Sequence, residues 1–179
     1  NGEVLTPGLN VDYFRFMSAS QLDCFRNERD ILRSITPTIP ITTNLMGTYK
    51  PLDYRQWAKE LDVVSWDCYP NPNHSPSDIA FLHDLMRGIK DGQPFLLMEQ
   101  TPSSQNWQEI NALKRPGVLR LWSYLAVAHG ADTVMYFQWR RGRGGCEKLH
   151  GAVIEHAGRT DTRVFREVSQ LGAELTALG

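Results

Sequence analysis

The stretch FLLMEQTPSSQNW, Phe95 to Trp107, opens with four apolar residues and places a carboxylate, Glu99, directly behind them. So short an apolar run suits a strand buried on both faces, and such strands belong to parallel sheets flanked by helices. The strand carries Glu99 to its own C-terminal end, where an unpaired carboxylate would be costly to bury. That charge is either paired with an arginine such as Arg120 or Arg140, or held there for chemistry.

The flanking sequence repeats the same alternation. A helix is expected from Asn10, as N-cap, to Ile35, with Phe14, Met17, Cys24, Phe25, Ile31, Leu32 and Ile35 at helical spacing. Pro37 and Pro40 end it, because proline supplies no N–H and disfavours helix before it. Ile39–Asn44 reads as a strand, Asp53–Leu61 as a helix and Val63–Trp66 as a second strand. Ser75-Pro76-Ser77-Asp78 marks the next helix start, with proline in the first turn and an acid three residues after the serine. Phe81, Leu82, Leu85, Met86 and Ile89 carry that helix to Gly88–Gly92. After the strand Phe95–Met98 come a helix Pro116–His129 closed by Gly130, a strand Thr133–Phe137, and a final helix packed through Val164, Phe165, Val168, Leu171 and Leu175.

The order is one helix followed by four βα units, an α/β class with parallel strands. Two connections, Gln100–Lys114 and Gln138–Arg159, are much longer than usual, and both leave the C-terminal end of a strand. In a (β/α)8 barrel that end is the catalytic face. A doubly wound sheet fits the alternation equally well.

Composition excludes several classes. A net charge of −1 leaves no electrostatic footprint for nucleic acid or an anionic membrane. No apolar run approaches the ~18–20 residues that span a bilayer. Cys24, Cys68 and Cys146 are odd in number, far apart and without CxxC spacing, so neither a disulfide framework nor a zinc site is expected. Reduced thiols point to a cytoplasmic protein. The GRGG run, Gly142–Gly145, has neither the spacing nor the following helix of a nucleotide fingerprint.

The segments TTNLMG (Thr42–Gly47), LDVVSWDCYP (Leu61–Pro70), FLLMEQTPSSQNW (Phe95–Trp107), RPGVLRLWSYLAVAHGAD (Arg115–Asp132) and YFQWRRGRGGCEKLHGAV (Tyr136–Val153) resemble, in the same order, the β-galactosidases of glycoside hydrolase family 42. The resemblance covers nearly the whole chain. It implies that residues 1–179 are the C-terminal half of a (β/α)8 catalytic barrel, strands five to eight with their helices. It further implies a retaining hydrolase of terminal β-D-galactosides in which Glu99 matches the nucleophile. Tyr69 resembles a hydrogen-bond donor to that nucleophile. Trp107 and Phe137 look like walls of the sugar site, although Phe137 suits plain barrel core almost as well. Glu147 and His150 match an ExxH clamp for galactose hydroxyls, against the alternative of a loop salt bridge. No role is assigned to Asn44, Trp66 or Asp67. His129 reads as structural, and His74, His83 and His156 as solvent-side residues.

Retention needs a second carboxyl group, which in the family is a glutamate preceded by asparagine at the end of the fourth strand. The Asn27-Glu28 pair falls inside the first helix with no strand before it, so the acid/base is expected upstream of Asn1. Zinc-binding cysteines of some members belong to that upstream half, so no metal and no cofactor is expected here. A galactoside substrate and a homo-oligomer are the expected partners. The alternative is a galactose-binding fragment without turnover. A half barrel cut between its fourth and fifth strands would bare Ile39–Asn44 and Thr133–Phe137 as edges, which favours self-association of the isolated segment.

Overall fold

The computed structural model describes residues 6–179. The elements run α1 (Pro7–Ile35), β1 (Asn44–Leu45), α2 (Tyr54–Glu60), β2 (Ser65–Asp67), α3 (Pro76–Gly88), β3 (Phe95–Glu99), α4 (Val118–Ala128), β4 (Ala131–Val134) and α5 (Arg163–Leu178). The four strands are parallel and pair in sequence order. Buried residues of α1 to α4, among them Leu22, Phe25, Trp57, Ile79, Met86, Trp122 and Ala126, join Leu45, Trp66, Phe95 and Leu97 in one core. A doubly wound sheet would reverse its strand order and carry helices on both faces. Here the order never reverses and one core joins helices α1 to α4 to the sheet. The architecture is four consecutive units of a (β/α)8 barrel, a curved wall with its helices outside.

Local chemistry explains where elements begin and end. Asp53 caps α2 by accepting from the Arg55 and Gln56 amides. Ser75 and Asp78 form a reciprocal capping box at α3, as the Ser-Pro-Ser-Asp signature requires. Gly130, at a φ of 98° that L side chains rarely adopt, closes α4 and turns the chain directly into β4. Strand β4 therefore starts at Ala131 rather than Thr133. Helix α4 starts at Val118 because Gly117, also left-handed at φ 84°, is its N-cap, leaving Pro116 outside. Asn10 lies inside α1, whose N-cap is Thr6.

The expected strand Ile39–Asn44 shrinks to Asn44–Leu45 because side chains take over its hydrogen bonding. Thr42 Oγ1 donates to the Val63 carbonyl at 2.6 Å, Ser65 Oγ to the Thr43 carbonyl at 2.8 Å, and Asp62 accepts from the Ile41 amide at 2.6 Å. The apolar stripe expected along α1 is also divided. Leu22 and Phe25 are buried, whereas Phe14, Ile31, Leu32 and Ile35 are exposed and find no cover among the described residues. Helical spacing reports a stripe wider than the face that meets β1 and α2.

His83 corrects a sequence expectation. It is buried rather than solvent-side, stacked on Phe95 at 5.4 Å and met edge-on by Trp66 at 5.1 Å. It occupies an inward position of α3 between Ile79 and Met86, which one polar residue in an amphipathic run does not reveal. Burial, with the neighbouring His129 adding to it, pushes its pKa down to about 4. His129 itself meets Asp84 at 2.9 Å at the end of α4, a structural role as expected.

This geometry makes the fold acid-sensitive. An unfolded imidazole protonates near its ordinary 6.5 and the folded one near 4, so the contribution is complete above 6.5 and lost as pH falls toward 4. The difference is worth about 3 kcal/mol. In the protein carrying this segment, His83→Phe should flatten the loss of urea-unfolding stability between pH 7 and pH 5. An identical acid dependence in wild type and variant would contradict the burial of a neutral His83.

Candidate active site

The strand ends of this wall converge on Glu99. The register pairs Ser65 with Leu96, Trp66 with Leu97, and then Asp67 with Glu99, skipping Met98. Strict alternation would set Glu99 on the same face as Phe95 and Leu97, inside the helix-facing core. The extra residue reverses that phase, so Glu99 shares a face with its neighbour Asp67, opposite the buried Trp66. The nucleophile candidate thus leaves the apolar core at the last step of the strand.

Tyr69 Oη donates to Glu99 Oε2 at 2.6 Å. Burial first, and then the Glu99 carboxylate, raise the Tyr69 pKa well above the ordinary phenol value, so the hydroxyl stays protonated as a donor. Neither arginine weighed from the sequence pairs with Glu99. Arg120 binds Glu174 at 2.8 Å, and the backbone of Arg140 bridges Ile154. Beside Glu99, Asp67 accepts from Asn44 Nδ2 at 2.6 Å, while its other oxygen is enclosed without a partner among the described residues. Burial, with the Glu99 charge adding to it against the Asn44 hydrogen bond, lifts Asp67 to about 6. Cys68, between Asp67 and Tyr69, is buried, and burial pushes its thiol up to about 12, so it is a neutral group.

Aromatic rings cluster around His150 beside these groups. Trp107 stacks on His150 at 4.9 Å and 25°, and Tyr69 stands edge-on to Trp107 at 4.8 Å. Phe137 stands edge-on to the imidazole at 5.1 Å and 75°. Trp107 is half exposed, leaving much of its surface open, and His150 is fully buried. Asn106 Nδ2 donates to the Cys146 carbonyl at 2.7 Å, which turns its Oδ1 toward His150 Nδ1 at 3.1 Å. The other ring nitrogen, Nε2, is enclosed without a hydrogen-bond partner among the described residues. Burial lowers the His150 pKa, which keeps the ring neutral.

Of the residues singled out from the sequence, Tyr69, Glu99, Trp107, Phe137 and His150 form this one cluster. Glu147 stands at its rim, exposed, its carbonyl accepting the His150 amide at 2.9 Å. Its charge still acts on both Tyr69 and His150. The His150 ring faces Asn106 rather than Glu147. Asn27 and Glu28 are exposed in the middle of α1, away from every strand end. Sequence reasoning missed Asn106, which orients His150, and Arg141, whose Nε donates to the His150 carbonyl at 3.0 Å. It also missed Gly151, where a Cβ would fall 2.7 Å from the Ser104 amide nitrogen. Their positions next to Trp107, in the arginine-rich loop and after His150 were the only signals available.

Comparison with known proteins agrees with this wall. The glycoside hydrolase family 42 description, "Beta-galactosidase", matches residues 1–178. Beta-galactosidase BgaP of Planococcus sp. (strain L4) is 63% identical over 96% of this chain and 25% of its own length. The β-galactosidase of Geobacillus kaustophilus is 51% identical over 97% of this chain and 26% of its own. Among solved structures, the β-galactosidase from Bacillus circulans sp. alkalophilus superposes with a TM-score of 0.94 at 64% identity, covering 96% of this chain and 26% of that one. That from Rahnella sp. R3 gives 0.95 at 48% identity, covering 99% of this chain and 27% of that one. The chain thus spans about a quarter of the length of the relatives it matches. With the family, the strand order and the site in agreement, the chain belongs to glycoside hydrolase family 42, the β-galactosidase family.

Proposed function

We propose that residues 1–179 form part of the catalytic domain of a retaining β-galactosidase and supply its nucleophile and one wall of its galactose site. The observation that carries this reading is Glu99 at the barrel-facing end of β3, held by the Tyr69 hydroxyl at 2.6 Å. The Tyr69 hydrogen bond fixes one carboxylate oxygen and leaves Oε1 as the attacking atom. Glu99 attacks the anomeric carbon as the aglycone oxygen departs with a proton, giving a glycosyl ester. A water, deprotonated by the group that gave that proton, then displaces Glu99 and releases galactose. Trp107 offers a flat apolar surface to the sugar, His150 backs that surface from behind by stacking on Trp107, and Glu147 accepts sugar hydroxyls from the rim.

The proton donor must stand about 5–5.5 Å from the nucleophile on the other side of the glycosidic bond. Asp67 does not suit that task, since Asn44 occupies one of its oxygens and the other is enclosed. The donor is a carboxyl group of the family's other barrel half. These 179 residues by themselves would contact galactose without turning it over.

In the full-length enzyme, Glu99→Gln should lower kcat by roughly ten-thousandfold or more, the scale for loss of a covalent nucleophile. A contaminant-free variant within tenfold of wild type would overturn the assignment. A fluorinated galactoside should trap an ester on Glu99, visible by peptide mass spectrometry.

Glu147→Ala should lower kcat/KM by about ten- to a hundredfold, the cost of hydrogen bonds to a charged group that strengthen in the transition state. Unchanged kinetics with reduced stability would assign Glu147 to loop structure instead.

A further inference from the structure

Lys114 closes the long loop that begins behind Glu99. Its stem borders a surface cleft near Pro70, Gln105 and Trp122, while its ammonium turns inward and donates to the Thr101 carbonyl. Burial draws its pKa down to about 8, and the ionisable neighbour acting against that is the Cys68 thiol, itself neutral. No carboxylate pairs with Lys114 among the described residues. Burying an uncompensated ammonium costs stability, and an apolar side chain of equal length would fill the same space more favourably. What the ammonium holds is therefore the informative point.

Thr101 stands two residues beyond Glu99. Its hydroxyl donates to the Ser104 carbonyl at 3.1 Å and accepts from the Ser103 amide at 3.3 Å. The Ser104 carbonyl also accepts the Gly151 amide at 2.7 Å, and Gly151 directly follows His150. At this seam the two backbones touch so closely that a Cβ on Gly151 would lie 2.7 Å from Ser104 N and 2.8 Å from Thr101 Oγ1. From the other side, Arg163 of α5 donates to the Lys114 carbonyl at 2.9 Å, fixing the lysine to the outer helix layer.

We propose that Lys114 is a positioning residue for the reaction: by gripping the Thr101 carbonyl it closes the loop behind Glu99 on itself, and so holds Thr101 and Ser104 in the place where the loop carrying Glu147 and His150 docks through Gly151. This rests on the reading of Glu99 and Glu147 given above. Nucleophile and hydroxyl ligands come from different loops, and a misplacement of about 1 Å between them costs on the order of a hundredfold in rate. The lock sets that spacing without touching the sugar.

The test compares Lys114→Met, Lys114→Arg and Glu99→Gln in the full-length enzyme with a nitrophenyl β-galactoside. Lys114→Met should keep or raise Tm, lower kcat/KM by roughly tenfold or more with most of the loss in kcat, and speed exchange of the Gly151 amide. Lys114→Arg, which keeps a donor and a charge, should recover part of the rate. Wild-type kcat/KM and wild-type Gly151 protection in a folded Lys114→Met overturn the proposal. Should neither lysine variant fold, wild type decides. There the Gly151 amide must exchange about a hundredfold more slowly than the exposed Arg143 amide, and equal rates overturn the lock. An inactive Glu99→Gln beside an unaffected Lys114→Met rejects the lock alone. An active Glu99→Gln rejects the nucleophile, and the change in Gly151 exchange from wild type to Lys114→Met then still decides whether Lys114 holds the seam.

Discussion

One residue of slack in the β2–β3 ladder governs the site. Met98 has no partner where Trp66 passes to Asp67, so the strand changes phase between Leu97 and Glu99. Before that step the outward positions feed the core between sheet and helices, with Phe95 and Leu97 almost wholly buried. After it the next side chain faces the barrel. A carboxylate kept in the earlier phase would lie among apolar residues with no donor in reach, which a fold tolerates only at high cost. The shift converts a burial problem into a usable group and brings it within hydrogen-bond distance of Tyr69, which leaves the neighbouring strand.

The loops around Glu99 are held by polar groups rather than by apolar packing. Gln100, Thr101, Ser103, Ser104 and Gln105 are all buried, an unusual concentration for a connecting segment. Several of their groups bond to one another or to neighbouring chain, as with the Gln105 amide on the Pro70 carbonyl at 3.1 Å and the Gln100 amide on Ser123 at 3.2 Å. Directional bonds of this kind specify distances that apolar contacts leave loose. They suit a region that must present a carboxylate, an indole and an imidazole in one arrangement. The outer layer serves the same end more simply, with His83 wedged between Trp66 and Phe95 beneath the strands that carry Asp67 and Glu99.

Much of this was legible in the residues themselves. Helix starts at Asp53 and Ser75, the helix stop at Gly130 and the apolar strand before Glu99 are local events, set by hydrogen-bond donors, backbone φ and runs of apolar side chains. Spacing and motif resemblance likewise singled out Tyr69, Glu99, Trp107, Phe137 and His150, which the fold draws into one cluster. The short strand β1 was not legible, because it depends on Thr42 and Ser65 hydroxyls from two segments meeting across the ladder.

By itself, then, the sequence determined the alternation of strands and helices and the family, and it singled out Glu99, since these follow from local periodicity and from motifs read along the chain. Tertiary structure alone decided which face Glu99 occupies, because a register shift exists only between two strands. It decided that His83 is buried, because helical spacing names a stripe but not what covers it. It also decided that Ser104, Thr101 and Gly151 join the two site loops, because contacts between residues 101–104 and 151 have no trace in either segment alone.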